Sequence, residues 1–411
     1  MLIGITHPAF DAIGGAEILI ARYASFLRDA GHRVRIVTEK FDHQRWSGLA
    51  AIADIRVEPR RRFDSIGLPF TYPKLGRRAR RHARAIEEAD VVLGGNFPGN
   101  VVASNVRNGS SSIWTCMEPT HRLHPKEVLP TLYARTEAPP REDDPGAVHF
   151  ERREFQKSAM IMARGGEVPS QRRADLEAVA RLARIIAISG FSAANVRKIY
   201  GRTPDAVMYP TVTDPGMPMR ATGMSPTGLR VLSHARLWIT KNFDTVIRGF
   251  AQFAAQNPGR HELHIVGTGS DGPRLEQVVR QLDLGESVRF HGFLPADKLA
   301  EVYAHCDVMA LLPIDEPFGM VFPEAAMRGL LIIGPDHGGP VEILEAGRLG
   351  WNVDAFTPEP LAHALEEAWR LPDAEVKARR EKAADACRRR YAASATLPTL
   401  LSHVEALAAK K

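Results

Sequence analysis

Short runs of β-branched and aliphatic residues alternate with amphipathic stretches of helical period along most of this chain. No other feature limits the fold as strongly, because strand–helix–strand repetition implies parallel sheets covered on both faces. Residues 2–6 read as a strand. Residues 16–30 repeat apolar side chains at helical spacing (Leu19, Ile20, Tyr23, Phe26, Leu27), Gly31 is a suitable stop, and residues 33–38 return to strand. Strands are further expected at 91–93, 113–115, 184–188 and 207–209, with a short helix at 192–200. Residues 125–167, rich in Pro, Arg and Glu, have no clean period and read as loop plus helix. The stretch 210–230, rich in Pro, Gly, Thr and Met, reads as a linker. After it the alternation resumes, with strands expected at 230–233, 262–266, 287–291, 308–312 and 331–333 and helices at 242–256, 273–282 and 296–304. Helical sequence closes the chain at 358–370, 374–390 and 397–409.

Two such series imply two α/β, Rossmann-like domains facing each other across a cleft, and 411 residues are enough for two cores. The boundaries expected are 1–210 for an N-terminal domain, 211–390 for a C-terminal domain, and 391–411 for a last helix returning to the first. No apolar run approaches the roughly 18 residues of a membrane span, and the N-terminus lacks the basic and long apolar regions of a signal peptide. Cys116, Cys306 and Cys387 are far apart, odd in number and without metal-type spacing, which fits a reducing cytosol. The formal charge of +6 is modest but uneven. Residues 74–90 form a basic helix carrying Arg77, Arg78, Arg80, Arg81 and Arg84. It reads either as a solvated face or as a docking surface for anionic lipid or acidic substrates. Nucleic acid is disfavoured, since the basic run has no aromatic interleaving and no known binding motif.

In an open parallel sheet, ligands bind at the carboxyl ends of the strands. Gly14 and Gly15, in "HPAFDAIGGAE", precede a helix whose free N–H groups suit an anion, although a Gly pair there is also an ordinary tight turn. Arg236 and Lys241, in "SHARLWITKNF", converge with a helix N-terminus, an arrangement that suits a diphosphate. Gly267 in "IVGTGS" and Phe293 in "FHGFLP" follow two more strands, where the second loop's backbone can read a nucleobase edge. In "EPFGMVFPE", Glu316 falls in a loop, Gly319 permits a tight turn, and Glu324 lies about one turn into the following helix. Both carboxylates can accept from sugar hydroxyls, while the N–H groups near Phe318, Gly319, Met320 and Val321 suit phosphate. The competing structural reading makes Glu316 a helix N-terminal acid and Glu324 a solvated one.

"EPFGMVFPEAAMRGLLIIGPDHGGPVEIL" resembles the Glu-x7-Glu region of retaining glycosyltransferases of family 4, which have the GT-B fold. The matching residues are Glu316, Glu324, Gly338, Gly339 and Glu342. "HARLWITKNFDTVIRGF" is similar to that family's donor-phosphate stretch, with Arg236 and Lys241 in the matching places, and the likeness extends over nearly the whole chain. The resemblance implies that Arg236 and Lys241 hold a donor diphosphate, Glu316 binds hydroxyls of the transferred sugar, Glu324 binds those of the ribose, and the backbone at Gly319, Met320 and Val321 adds phosphate contacts. It implies transfer from a UDP- or GDP-sugar with retention, and no cofactor beyond that donor. No Asp-x-Asp pair occurs, so a bridging metal is not expected. The acceptor expected is a saccharide or a lipid-linked saccharide of cell-envelope or exopolysaccharide assembly. The protein is then expected in the cytoplasm, with peripheral contact on the inner face of the membrane. One departure stands out: Met117 follows Cys116 where the family often has His, and His121 is the nearest replacement. Two alternatives remain at this level, a non-hydrolysing sugar-nucleotide epimerase-like enzyme and a non-catalytic GT-B partner.

Overall fold

The computed structural model describes residues 1–59, 72–106, 111–121, 123–137, 169–214, 224 and 227–410. Residues 138–167 of the aperiodic region and most of the 210–230 stretch lie outside them. Two compact units result: Met1–Thr211 with Ala393–Lys411, and Val212–Ala392.

The first unit is built on a parallel sheet of seven strands among the described residues. They are β1 (Leu2–Thr6), β2 (Arg33–Thr38), β3 (Asp54–Val57), β4 (Val91–Gly94), β5 (Ser112–Cys116), β6 (Arg184–Ala187) and β7 (Ala206–Val207), in the order β3-β2-β1-β4-β5-β6-β7. β1, β4 and β5 are buried at every position, as central strands covered on both faces must be. The Gly15–Asp29 helix buries Leu19, Ile20, Tyr23, Ala24 and Leu27 on one stripe and gives way to Gly31 at φ +87°. The Gly190–Tyr200 helix opens with Ser189, whose hydroxyl accepts from the Ser192 N–H at 2.9 Å, and ends on Gly201 at φ +63°.

The second unit holds six parallel strands. These are β8 (Arg230–His234), β9 (Glu262–Val266), β10 (Val288–Gly292), β11 (Val308–Ala310), β12 (Leu331–Pro335) and β13 (Trp351–Val353), in the order β10-β9-β8-β11-β12-β13. β8 and β11 pair in register, Val231 with Val308 and Leu232 with Met309. Strand order reverses between β8 and β11, as it does between β1 and β4 in the first unit. Crevices at such reversals are where doubly wound sheets bind ligands.

Several elements differ from the expected pattern. β3 is an edge strand of mostly exposed residues, and β13 has three residues, so neither carries the apolar run that marks a strand. The Gly99–Ser104 helix is buried throughout and shows no amphipathic period. The strand expected at 207–209 is instead Ala206–Val207, a two-residue pairing on β6. No helix of the described residues is long and apolar enough to cross a membrane.

Candidate functional site

The loops that follow β8 and β11 meet at the reversal in the second sheet. After β8 the chain passes through Arg236 and Trp238 into a 3-10 turn, Ile239–Lys241, and then the Phe243–Gln256 helix. Asn242 between them adopts left-handed backbone angles (φ 56°, ψ 44°), a conformation Asn tolerates better than most residues. Its Nδ2 donates to the carbonyls of Leu312 (3.0 Å) and Ala355 (2.5 Å), and its Oδ1 accepts from Thr245 Oγ1 at 3.0 Å. The Ile314 N–H donates to Thr240 O at 2.8 Å. These bonds stitch the two loops together, and the Lys241 ammonium pairs with Glu316 Oε2. Both side chains are only partly exposed, 25% for Lys241 and 15% for Glu316, so the pair is screened less than a surface bridge. Arg236 is exposed, with its guanidinium 4.7 Å from the ring centre of Trp238.

Glu316 is held by its main chain. The Gly339 N–H donates to Glu316 O at 2.8 Å. A Cβ on Gly339 would lie 2.3 Å from Pro317 O, and one on Gly338, at φ +75°, would lie 2.8 Å from Glu316 O. The Gly-Gly turn thus admits a close backbone approach that fixes the acid, and Glu342 lies in the first turn of the short Pro340–Ile343 helix beyond it. The chain then turns at Gly319 (φ +89°) into the Val321–Met327 helix. The Phe322 N–H reaches Gly319 O (3.1 Å) and the Glu324 N–H reaches Met320 O (3.2 Å). Among the described residues, no acceptor takes the N–H of Gly319, Met320 or Val321. Phe318, by contrast, is buried against the Tyr391 ring at 5.3 Å, so its side chain is not presented to a ligand.

Glu324 lies on a second layer of contacts. Arg328 donates to Glu324 O at 3.0 Å and covers the Tyr303 ring at 4.7 Å. Tyr303 Oη is 3.0 Å from Nδ1 of His234, the last residue of β8. Burial, and after it the Glu324 carboxylate, pushes the Tyr303 phenol up, while burial and then Arg328 push His234 down to about 4. Gly267 (φ +132°) serves the protein before any ligand. Its N–H donates to Gly292 O at 2.9 Å, and a Cβ would lie 1.9 Å from Ala235 O. Phe293 follows β10 with 69% of its surface exposed. The sequence reading missed His234, Trp238, Asn242 and Tyr303. Only Asn242 carried a local signal, an Asn directly before a helix.

In the first unit, Gly14 is the N-cap of the Gly15–Asp29 helix, without a side-chain cap, and Gly15 is exposed. His7, buried just after β1, places Nε2 3.2 Å from Glu17 Oε1 on that helix. Met117 is buried, and its carbonyl accepts from Ser192 Oγ at 2.7 Å; His121 is half-buried in the loop that follows. The basic helix, Tyr72–Ala85, is not the uniformly available face its sequence suggested. Arg78 pairs with Glu39, and Arg81 pairs with Glu58 at 3.4 Å and donates to Pro59 O at 3.0 Å. Arg77, Arg80 and Arg84 remain exposed.

Residues 220–386 match the family described as Glycosyl transferases group 1. Over that stretch the chain is similar to the glycosyl transferases group 1 family, and Arg236, Lys241, Glu316 and Glu324 all fall inside it. Among curated proteins, it is 31% identical over 141 residues to mannosylfructose-phosphate synthase of Agrobacterium fabrum, covering 33% of this chain and 31% of that one. It is 28% identical over 220 residues to D-inositol 3-phosphate glycosyltransferase of Acidothermus cellulolyticus, covering 49% of each. The matches thus span about a third to a half of these relatives. Among solved structures, Anabaena HepE in complex with UDP-glucose has a TM-score of 0.71 at 18% identity, over 99% of this chain and 100% of that one. That likeness establishes the fold, two parallel-sheet α/β domains of GT-B type.

Proposed function

We propose that this protein is a retaining glycosyltransferase that moves a sugar from a nucleoside-diphosphate sugar to a saccharide or lipid-linked acceptor in cell-envelope or exopolysaccharide assembly. The Lys241–Glu316 pair beside three unclaimed N–H groups carries the reading, because it offers a cation, an anion and a donor cluster at one sheet reversal. Lys241 and Arg236 take the diphosphate, and the N–H groups of Gly319, Met320 and Val321 take its remaining oxygens. Glu316 accepts from hydroxyls of the transferred sugar and Glu324 from those of the ribose. The Gly267 turn and Phe293 stand on the base side. Catalysis in this reading is positioning plus stabilisation of the leaving diphosphate, whose oxygen takes the acceptor proton as the new glycosidic bond forms on the same face. The chemistry runs without a metal at the diphosphate, in keeping with the missing Asp-x-Asp pair. The enzyme works in the cytoplasm, with Arg77, Arg80 and Arg84 against anionic lipid.

A solved structure of the same fold holds UDP-glucose, so UDP-glucose heads the donors to screen, followed by GDP-sugars. A true donor at 100 times its Kd stabilises the folded protein by about 2.7 kcal/mol. Lys241→Ala and Glu316→Ala should melt near the wild type without ligand and lose most of that gain, and transfer with it. The assignment fails if no nucleotide sugar raises Tm, or if both variants transfer sugar at the wild-type rate.

A further inference from the structure

The second unit holds a histidine cluster for which the donor chemistry has no use. Glu262 and His264 lie two residues apart on β9 and so share one face of the sheet. The Ala296–His305 helix brings its last residue, His305, to the same place. Nε2 of His264 and Nε2 of His305 each stand 3.2 Å from Glu262 Oε2, and the ligand atoms of all three residues lie within 4.8 Å of one another. A tetrahedral ion with ligands at about 2.0–2.1 Å sets neighbouring ligand atoms roughly 3.3 Å apart, so two of the three separations already fit.

The surroundings are those of a ligand set. The other oxygen, Glu262 Oε1, is held by Arg289 Nη2 at 2.9 Å, which leaves Oε2 to face the imidazoles. His264 Nδ1 is 3.0 Å from His291 Nε2. With its proton on Nδ1 donated to His291, His264 presents a lone pair at Nε2, the tautomer a metal requires. The His264 side chain is 4% exposed, whereas His305 is 45% exposed and open to an entering ion. Burial pushes His264 and His291 below the ordinary imidazole value.

We propose that Glu262, His264 and His305 bind one divalent transition-metal ion of the zinc class, with solvent as the fourth ligand and His291 as the outer partner that orients His264. The site lies away from the loop that carries Arg236 and Lys241, since Glu262 opens β9 and Gly267 follows its far end. Its role is to clamp the end of a helix to the sheet, and it takes no part in donor chemistry.

The test uses the full chain, stripped with a chelator and titrated with Co2+ and then Zn2+. One equivalent of Co2+ should produce the visible absorption of a four-coordinate ion, Zn2+ should displace it, and Zn2+ should raise Tm. His305→Ala and Glu262→Gln change the most accessible ligands. Each should weaken Zn2+ binding at least tenfold while the metal-free Tm stays near the wild type, and His291→Ala should weaken it about tenfold. Absence of stoichiometric Co2+ absorption overturns the proposal and leaves a metal-free hydrogen-bond network. Zn2+ binding of equal strength in His305→Ala and Glu262→Gln also overturns it, since the ion would then sit on other histidines.

Discussion

His234 closes β8 with its ring against Tyr303, and the cost of charging it there holds its value near 4, below the usual 6.5 or so of a free imidazole. Between those two values the unfolded chain binds the proton and the folded protein does not, so stability rises with pH. The contribution is fully present above about pH 6.5 and is lost as pH falls toward 4. From pH 6.5 to 5 the loss amounts to about 2 kcal/mol. Urea denaturation at pH 7 and pH 5 should show that drop in the wild type and a drop smaller by about this amount in His234→Gln. Equal drops would mean that the ring is not held neutral. The sequence pointed to Lys241 and Glu316 because charged residues at strand ends stand out against apolar runs. It was silent on His234 and Tyr303, whose pairing spans 69 positions. Nor could it show that the missing Cβ of Gly267 makes room for the carbonyl of Ala235.

At the scale of the element, the Tyr72–Ala85 helix separates its arginines by face. Arg77, Arg80 and Arg84 follow the three- and four-residue spacing of a single exposed stripe, while Arg78 and Arg81 are spent on Glu39 and Glu58. The two sets should therefore fail differently. An exposed Arg near an anionic bilayer contributes about 1 kcal/mol, so replacing the three exposed residues with Ser should lower partitioning onto phosphatidylserine vesicles by roughly 100-fold at low salt. Tm should hardly move. Replacing Arg78 and Arg81 takes a paired cation from Glu39, which is buried, and should lower Tm instead. Vesicle co-sedimentation beside thermal melts decides the matter, and wild-type protein that ignores anionic vesicles at low salt removes the membrane contact altogether. Composition could locate this helix but could not sort its charges, because both acids lie on other elements. The same limit explains β3 and β13, where too few buried positions exist to mark a strand, while β1, β9 and β12 were legible as apolar runs.

For the molecule as a whole, the sequence sets the alternation of strands and helices, but strand order is decided by packing, and the order places the reversals where Glu316 meets Lys241. The chain also crosses between units twice, leaving the first after Thr211 and rejoining it at Ala393. The returning Ala393–Ala408 helix packs on the Gly15–Asp29 helix and on β4, and buries Leu397, Leu400, Val404 and Leu407. At about 1.5 kcal/mol or more for each such side chain, removing them withdraws at least ~6 kcal/mol, comparable to the entire stability of many domains. A chain ending at Ala392 should therefore lose the first unit and keep the second. Hydrogen exchange read strand by strand is the measurement to make: amides of β1 and β4 should lose protection, those of β8 and β11 should keep it, and a donor that binds the second unit should still raise its melting temperature. Loss of protection spread evenly over both sheets would mean that the two units unfold as one, and that the last helix supports the whole chain instead of one sheet.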